Sequence, residues 1–418
     1  MHVWLIKLEE MLPIDDDYRP YRTGMLASAL LARGHTVTRW ASDYNHYTHQ
    51  YRFEKNSRIQ LNDNYYAMLL YSGVAYSSAV SWKRLLDNYL LSREYSKEAR
   101  KLEPPDLIVC SMPTPELAAV SADLSRYFDA PLVIDARDMW PDVIATELKG
   151  IKAFLSKPVI LWMKYNLKKA SKNAASLVGI TPFYRDHLLR YAGRSESTQD
   201  GVFPLGFDPQ AAVYDAQEEQ QLTGFWLARG VDLAQHKIIY FAGRLNSTIF
   251  NTFDSSIAAI EKLSLKHVDV RMVYCGSGAY EKQIRDKAAS VSNIIFPGEV
   301  DTKALALLRK HAFVALLPVE RRVDFQNSLS NKFFEYLSSG IPVLSWLDGL
   351  PGQVLEQNHC GHIYNSGHEL AGYVERLLMN PRKRAEMGRR ALELFNREYD
   401  ADIVYENFVN FLEGVEKA

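Results

Sequence analysis

What most constrains this 418-residue chain is a rhythm: short apolar runs of strand length alternate with helix-period segments, and the alternation begins afresh at Lys237. Such alternation is the signature of βα units feeding a parallel sheet, and its restart predicts two such sheets in succession. The length agrees, because a single hydrophobic core rarely grows to this size. In the first half the strands are expected at Val3–Leu8, Thr36–Ala41, Tyr66–Tyr71, Leu107–Ser111, Leu132–Asp135 and Leu177–Ile180, with helices at Gly24–Ala32, Ser81–Lys101, Pro115–Phe128, Ile151–Lys172 and Pro182–Tyr191. In the second half strands are expected at Ile238–Ala242, Val270–Cys275, Ile294–Phe296, Phe313–Leu317, Pro342–Ser345 and Ile363–Tyr364. The resulting plan is a doubly wound, Rossmann-like domain over 1–212, a linker with a helical excursion over 213–236, a second such domain over 237–398, and a helix over 399–418 that crosses back to the first. Two such domains are expected to face a central cleft, because open parallel sheets bind ligands beyond the carboxyl ends of their strands.

Composition narrows the function classes. Lys+Arg number 49 against 50 Asp+Glu, so no global field draws the chain onto nucleic acid. The three cysteines, Cys110, Cys275 and Cys360, stand too far apart in sequence for a metal knuckle or a framework of bridges, which fits a reducing compartment. The N-terminal apolar run is strand-length with no cleavage pattern, and no stretch approaches the roughly 20 apolar residues needed to span a bilayer. The expectation is a cytoplasmic protein, soluble or held peripherally at a membrane, with no cofactor.

Three stretches carry chemistry. In Ser330-Asn331-Lys332-Phe333-Phe334-Glu335-Tyr336-Leu337-Ser338-Ser339-Gly340-Ile341-Pro342, a helix preceded by polar residues ends on a glycine C-cap before a strand. Its N-terminus favours a phosphate, and Glu335 is suited to accept from a ribose diol. The alternative is that Lys332 and Glu335 form an exposed i,i+3 ion pair. Gly243-Arg244-Leu245 follows the first strand of the second domain, where a guanidinium can grip a pyrophosphate through two parallel hydrogen bonds. Asp135-Ala136-Arg137-Asp138-Met139-Trp140-Pro141-Asp142 crowds charge at a strand's carboxyl end; it reads as a ligand face or as a salt-bridged loop anchored by Trp140.

The first of these stretches resembles the donor-binding motif of the family-four retaining glycosyltransferases, which have the GT-B fold, and above all their bacterial surface-polysaccharide branch. Gly243-Arg244-Leu245 is similar to the family's Gly-Arg-Leu, and Arg137-Asp138-Met139-Trp140-Pro141 to the branch's Arg-Asp-x-Trp-Pro. The resemblance implies transfer of a sugar, with retention, from a nucleotide diphosphate donor to a glycan or lipid-linked glycan acceptor, a UDP-sugar being favoured over a GDP-sugar. It implies that Arg244 and Lys332 stabilise the leaving diphosphate, that Arg137 and Asp138 lie on the reacting face, and that Gly24, Gly243, Gly276, Asn327, Ser328, Leu329 and Glu335 bind the donor. Two positions depart from the pattern. Asn327 stands where the family has its first glutamate, with Glu320 and Asp324 as substitutes upstream, and Ile249 stands near the usual lysine, a place Lys332 can fill. No metal site is legible, so no divalent-ion dependence is expected. A nucleotide-sugar epimerase of the same architecture, or a catalytically silent relative, are the competing readings.

Other features read more plainly. His35 is a turn residue, and His46 and His49 have metal-like spacing but no acidic neighbour in the sequence, which suits a polar loop. The run Lys149–Lys172 interleaves Phe154, Trp162, Met163 and Tyr165 with lysines: either a helix for an anionic membrane surface, a further partner, or a core-facing helix with a solvated back.

Overall fold

The apolar runs become strands in the computed structural model, with ends moved by a residue or two. The structure describes residues 1–16, 18–77, 81–147, 150–209 and 214–417. Its contacts divide the chain into two units, one of Met1–Pro204 with Val404–Ala418, the other of Leu205–Ile403. The boundary expected at 212 and 213 falls on residues outside those described, as does Lys149.

The first unit contains β1 (His2–Ile6), β2 (Thr36–Ser42), β3 (Tyr44–Asn45), β4 (Gln50–Tyr51), β5 (Ser57–Asn62), β6 (Tyr65–Leu70), β7 (Leu107–Ser111), β8 (Leu132–Ala136), β9 (Ser176–Gly179) and β10 (Gly201–Val202). Its sheet runs β10-β9-β8-β7-β1-β2-β6-β5, parallel throughout except for β5, which pairs antiparallel with β6. β5 was missed in the sequence because its Ser-Arg-Ile-Gln-Leu-Asn alternates weakly, with one face to solvent as an edge strand allows. The inner strands β1, β7, β8 and β9 are buried almost end to end, as expected of a sheet covered on both faces.

The second unit contains β11 (Lys237–Ala242), β12 (Val270–Cys275), β13 (Ile294–Gly298), β14 (Ala312–Leu317), β15 (Val343–Ser345) and β16 (Gly361–Ile363), all parallel in the order β13-β12-β11-β14-β15-β16. In each sheet the chain winds outward from its first strand and then returns to the other side of that strand. The switch point lies between β1 and β7 in one unit and between β11 and β14 in the other, and it is there that loops diverge and leave a crevice.

The expected helical excursion is the helix Ala216–Leu227, opened by a capping box in which Asp215 and Glu218 exchange side-chain and backbone hydrogen bonds. Trp226 fixes it to the second unit, fully buried and donating from Nε1 to the Ala304 carbonyl at 3.1 Å. Residues 404–413 of the last helix belong to the first unit: Phe408 stacks on Phe203 at 4.4 Å, and Glu413 bonds Arg33 and His35 at 2.9 and 2.8 Å. His35 therefore packs structure rather than ligand. The three cysteines are free and buried.

Candidate functional site

At the switch point of the second sheet lies a cavity of about 240 Å³. Its walls come from the carboxyl ends of three strands, through Phe241 and Arg244 after β11, Leu317 and Val319 after β14, and Leu347 after β15. The start of the helix Asn331–Ser338 closes it with Ser328, Ser330, Lys332 and Phe333. A larger cleft of about 700 Å³ lies beside the edge strand β16, around His359, His362 and Arg382. It opens among exposed side chains away from the switch point, so the smaller cavity is the candidate.

Two cations meet in it. Arg244 is exposed, and among the described residues neither Arg244 nor Lys332 makes an ion pair. The ammonium of Lys332 lies 5.8 Å from the Phe241 ring centroid, and its stem passes so close over Gly243 that an added Cβ there would sit 2.1 Å from Lys332 Cε. Burial lowers the Lys332 pKa while Glu335, one turn on, raises it, for a net fall. An anion in the cavity would oppose that shift. Ser330 is the N-cap of the helix, but its hydroxyl makes no capping bond and the first turn carries no acid, so the positive end of the helix is left uncompensated.

The glycines serve the loops themselves. Gly243 N donates to the Cys275 carbonyl at 2.9 Å and Leu245 N to the Ser277 carbonyl at 2.9 Å, zipping the two strand-end loops together. A Cβ on Gly276, which has φ 123°, would fall 2.1 Å from the Gly243 carbonyl oxygen. Gly276 is thus required by the neighbouring backbone. Gly276→Ala is expected to lower the melting temperature by several degrees and cut soluble yield; an unchanged thermal melt would show that the loops can part. Gly24 is likewise fixed by its neighbours. It sits in the first turn of the helix Arg22–Ala32, where a Cβ would lie 2.6 Å from the Tyr18 hydroxyl, so packing excludes a side chain there.

The remaining donor-side candidates scatter. Ser328 reaches the cavity, whereas Leu329 is 6% exposed and packs into the core of the second unit, so its side chain cannot face a ligand. Asn327 follows the short helix Val323–Gln326 and donates from Nδ2 to the Val323 carbonyl at 2.7 Å. Asp324 is held by Arg322 through two hydrogen bonds of 3.0 and 2.9 Å, and Glu320 accepts from Asn251 at 3.1 Å. Glu335 does not line the cavity and has one oxygen 3.6 Å from Arg309 Nη1. Asn246 and Thr248 also line the cavity; the sequence hid them because small polar residues after a strand are ordinary turn formers. Ile249, in place of a lysine, is buried in the same wall.

In the first unit Arg137 sits in a largely buried polar network. Its guanidinium bonds Asp135 at 2.8 Å, Thr23 at 2.8 Å and Ser111 at 2.6 Å, and it pairs with Glu10. Asp135 is fully buried and also holds Arg22 through two bonds of 3.0 and 2.9 Å. Arg84 stacks on Trp140 at 4.9 Å, so the tryptophan is a packing anchor. Asp138 accepts from the Met139 amide at 2.6 Å. His46 lies 5.6 Å from Tyr76 and 6.2 Å from His49, within an aromatic cluster rather than a polar loop.

Residues 231–394 match the family model described as Glycosyl transferases group 1. Comparison with curated proteins finds no significant match. Among solved structures, sucrose-phosphate synthase from Thermosynechococcus elongatus is 14% identical with a TM-score of 0.71, covering 99% of this chain and 98% of that one. Anabaena HepE in complex with UDP-glucose is 13% identical with a TM-score of 0.62, covering 99% of each chain. WaaG, a glycosyltransferase involved in lipopolysaccharide biosynthesis, is 16% identical with a TM-score of 0.64, covering 99% of this chain and all of the other. The chain has the GT-B fold, and its second unit carries a group 1 glycosyltransferase domain; by that domain it is a glycosyltransferase.

Proposed function

We propose that the chain transfers a hexose, with retention, from a UDP-sugar to a glycan or lipid-linked glycan acceptor in the synthesis of a surface polysaccharide, working at the inner face of the cell membrane. The observation that carries this is the meeting of Arg244 and Lys332, neither held in an ion pair among the described residues, at the switch point of the second sheet beside an uncompensated helix N-terminus. Such an arrangement suits a diphosphate, whose charge grows as the sugar leaves. The bond from the anomeric carbon to the diphosphate oxygen breaks, the bond to the acceptor oxygen forms on the same face, and the acceptor proton passes to the departing oxygen. No protein base is needed. Glu335 is assigned to the ribose and Asn327 with Ser328 to the sugar. Asp138 is kept as a candidate on the acceptor side.

A thermal-shift series with UDP, GDP and ADP tests the donor site, since a ligand at about 100 times its Kd stabilises the native state by about 2.7 kcal/mol. UDP is expected to raise the melting temperature most. If none of the three raises it, the donor reading fails. Incubating the protein with UDP-glucose and no acceptor separates the epimerase alternative, which would release an isomer.

A further inference from the structure

The helix Gly150–Asn173 turns an unusual face to solvent. Met163, Leu167 and Ala170 bury one side of it against the first unit. The opposite side, which a helix packed on a sheet normally fills with polar residues, carries Phe154, Leu155, Leu161 and Tyr165, each 66–68% exposed, with Val159 and Trp162 between them. The spacing 154, 158, 161, 165 is a helical stripe. The stripe continues onto a second helix, Trp82–Ala99: the ring of Tyr89 meets that of Trp162 at 5.9 Å, and Leu86 and Trp82 extend the apolar surface along it. The two helices, which meet through the Tyr89 and Trp162 rings, thus present apolar and aromatic side chains side by side, where isolated exposed residues would need no explanation.

The charge carried by the first of these helices has one sign. The sequence of Gly150–Asn173 contains no Asp or Glu. Lys164 and Lys169 reach outward to Asp142 and Asp123, at 2.6 and 2.7 Å, whereas Lys157, Lys168 and Lys172 make no ion pair among the described residues. Among those residues no helix is long and apolar enough to cross a membrane.

We infer that this two-helix face docks on an anionic lipid surface, its Phe154, Leu161, Trp162 and Trp82 side chains entering the acyl boundary and its unpaired lysines meeting the headgroups. The inference deepens the peripheral attachment proposed above and rests on it; the transfer reaction does not enter. Aromatic residues on an apolar stripe bordered by lysines match the interface of a bilayer, where rings sit at headgroup level and each basic residue adds attraction to anionic lipid. A second copy of the chain fits worse, because a two-fold pairing of this face would bring the same lysines against one another.

Flotation with phosphatidylcholine vesicles, with and without one-quarter phosphatidylglycerol, tests it in the absence of any donor. The full chain is expected to bind the anionic vesicles at least tenfold more tightly than the neutral ones, with binding that weakens as salt is raised. Phe154→Ser with Leu161→Ser and Trp162→Ser should reduce binding to both by tenfold or more, and Lys157→Glu with Lys168→Glu should abolish the preference for anionic lipid. The lysine pair, being surface charge alone, keeps the test open if the triple variant fails to fold. Either no flotation on anionic vesicles or wild-type binding by the folded variants would overturn the inference. A wild-type dimer that the triple variant converts to monomer, without flotation, would assign the face to a second copy. None of these outcomes bears on donor binding, which the UDP series addresses separately.

Discussion

Arg244→Ala is expected to lower turnover by about a hundredfold or more while leaving the thermal transition where it stood. The two halves of that expectation have separate causes. Arg244 is exposed and makes no ion pair among the described residues, so its truncation exposes no buried partner and opens no cavity. Its value lies in the charge it presents to a leaving diphosphate, and a charge that meets its counterpart chiefly in the transition state affects kcat more than KM. Arg244→Lys should recover part of the loss, since the charge returns without the two-pronged geometry. Lys332→Met should fall similarly in rate. It has a second consequence, because the stem of Lys332 covers Gly243 and helps to wall the cavity. Steady-state rates with the UDP-sugar donor, beside a thermal melt of each variant, are the measurement. Turnover of Arg244→Ala within a few-fold of wild type would remove Arg244 from the reaction.

Much of the architecture could be read from the sequence because the signals were local. Buried strands such as Ile238–Phe241 declare themselves by continuous apolar runs, and helices by period and caps. What could not be read was everything decided by a partner distant in the chain. Gly276 looked like a ligand-facing glycine, and only the paired backbone shows that the Gly243 carbonyl occupies the space. Leu329 stands between two serines, one residue out of phase with the cavity, and no periodicity in a loop reveals which residues turn inward. The pairing of Glu335 with Arg309 joins residues far apart in sequence, beyond the reach of helical spacing. Arg244 and Lys332 were brought to one cavity by topology: β11 and β14 are adjacent although two strands separate them in sequence, and the loops beyond both strands converge.

The same distance in sequence governs the stability of the first unit. Asp135→Ala is expected to destabilise that unit by about 3–5 kcal/mol, because the substitution leaves the guanidinium groups of Arg22 and Arg137 buried without their shared carboxylate. For a unit of this size that is a fall in melting temperature on the order of 10 °C. Burial of Asp135 pushes its pKa up, but the charges and hydrogen bonds of Arg22 and Arg137 outweigh burial and hold it well below the usual carboxylate range. Glu10, facing Arg137 and Arg39, is lowered for the same reasons. The sign follows from linkage: a carboxylate whose pKa is depressed by folding adds stability that is complete above its unfolded value, near 4, and is lost as pH falls below it. Wild-type stability should therefore drop steeply from about pH 4 downward. Asp135→Asn should flatten that limb without removing it, since Glu10 still titrates. Urea unfolding followed by circular dichroism from pH 3 to 7 measures both effects. Equal slopes for the wild type and Asp135→Asn would mean that Asp135 is not the anion holding the two arginines, and the buried network would have to be balanced by Glu10 alone.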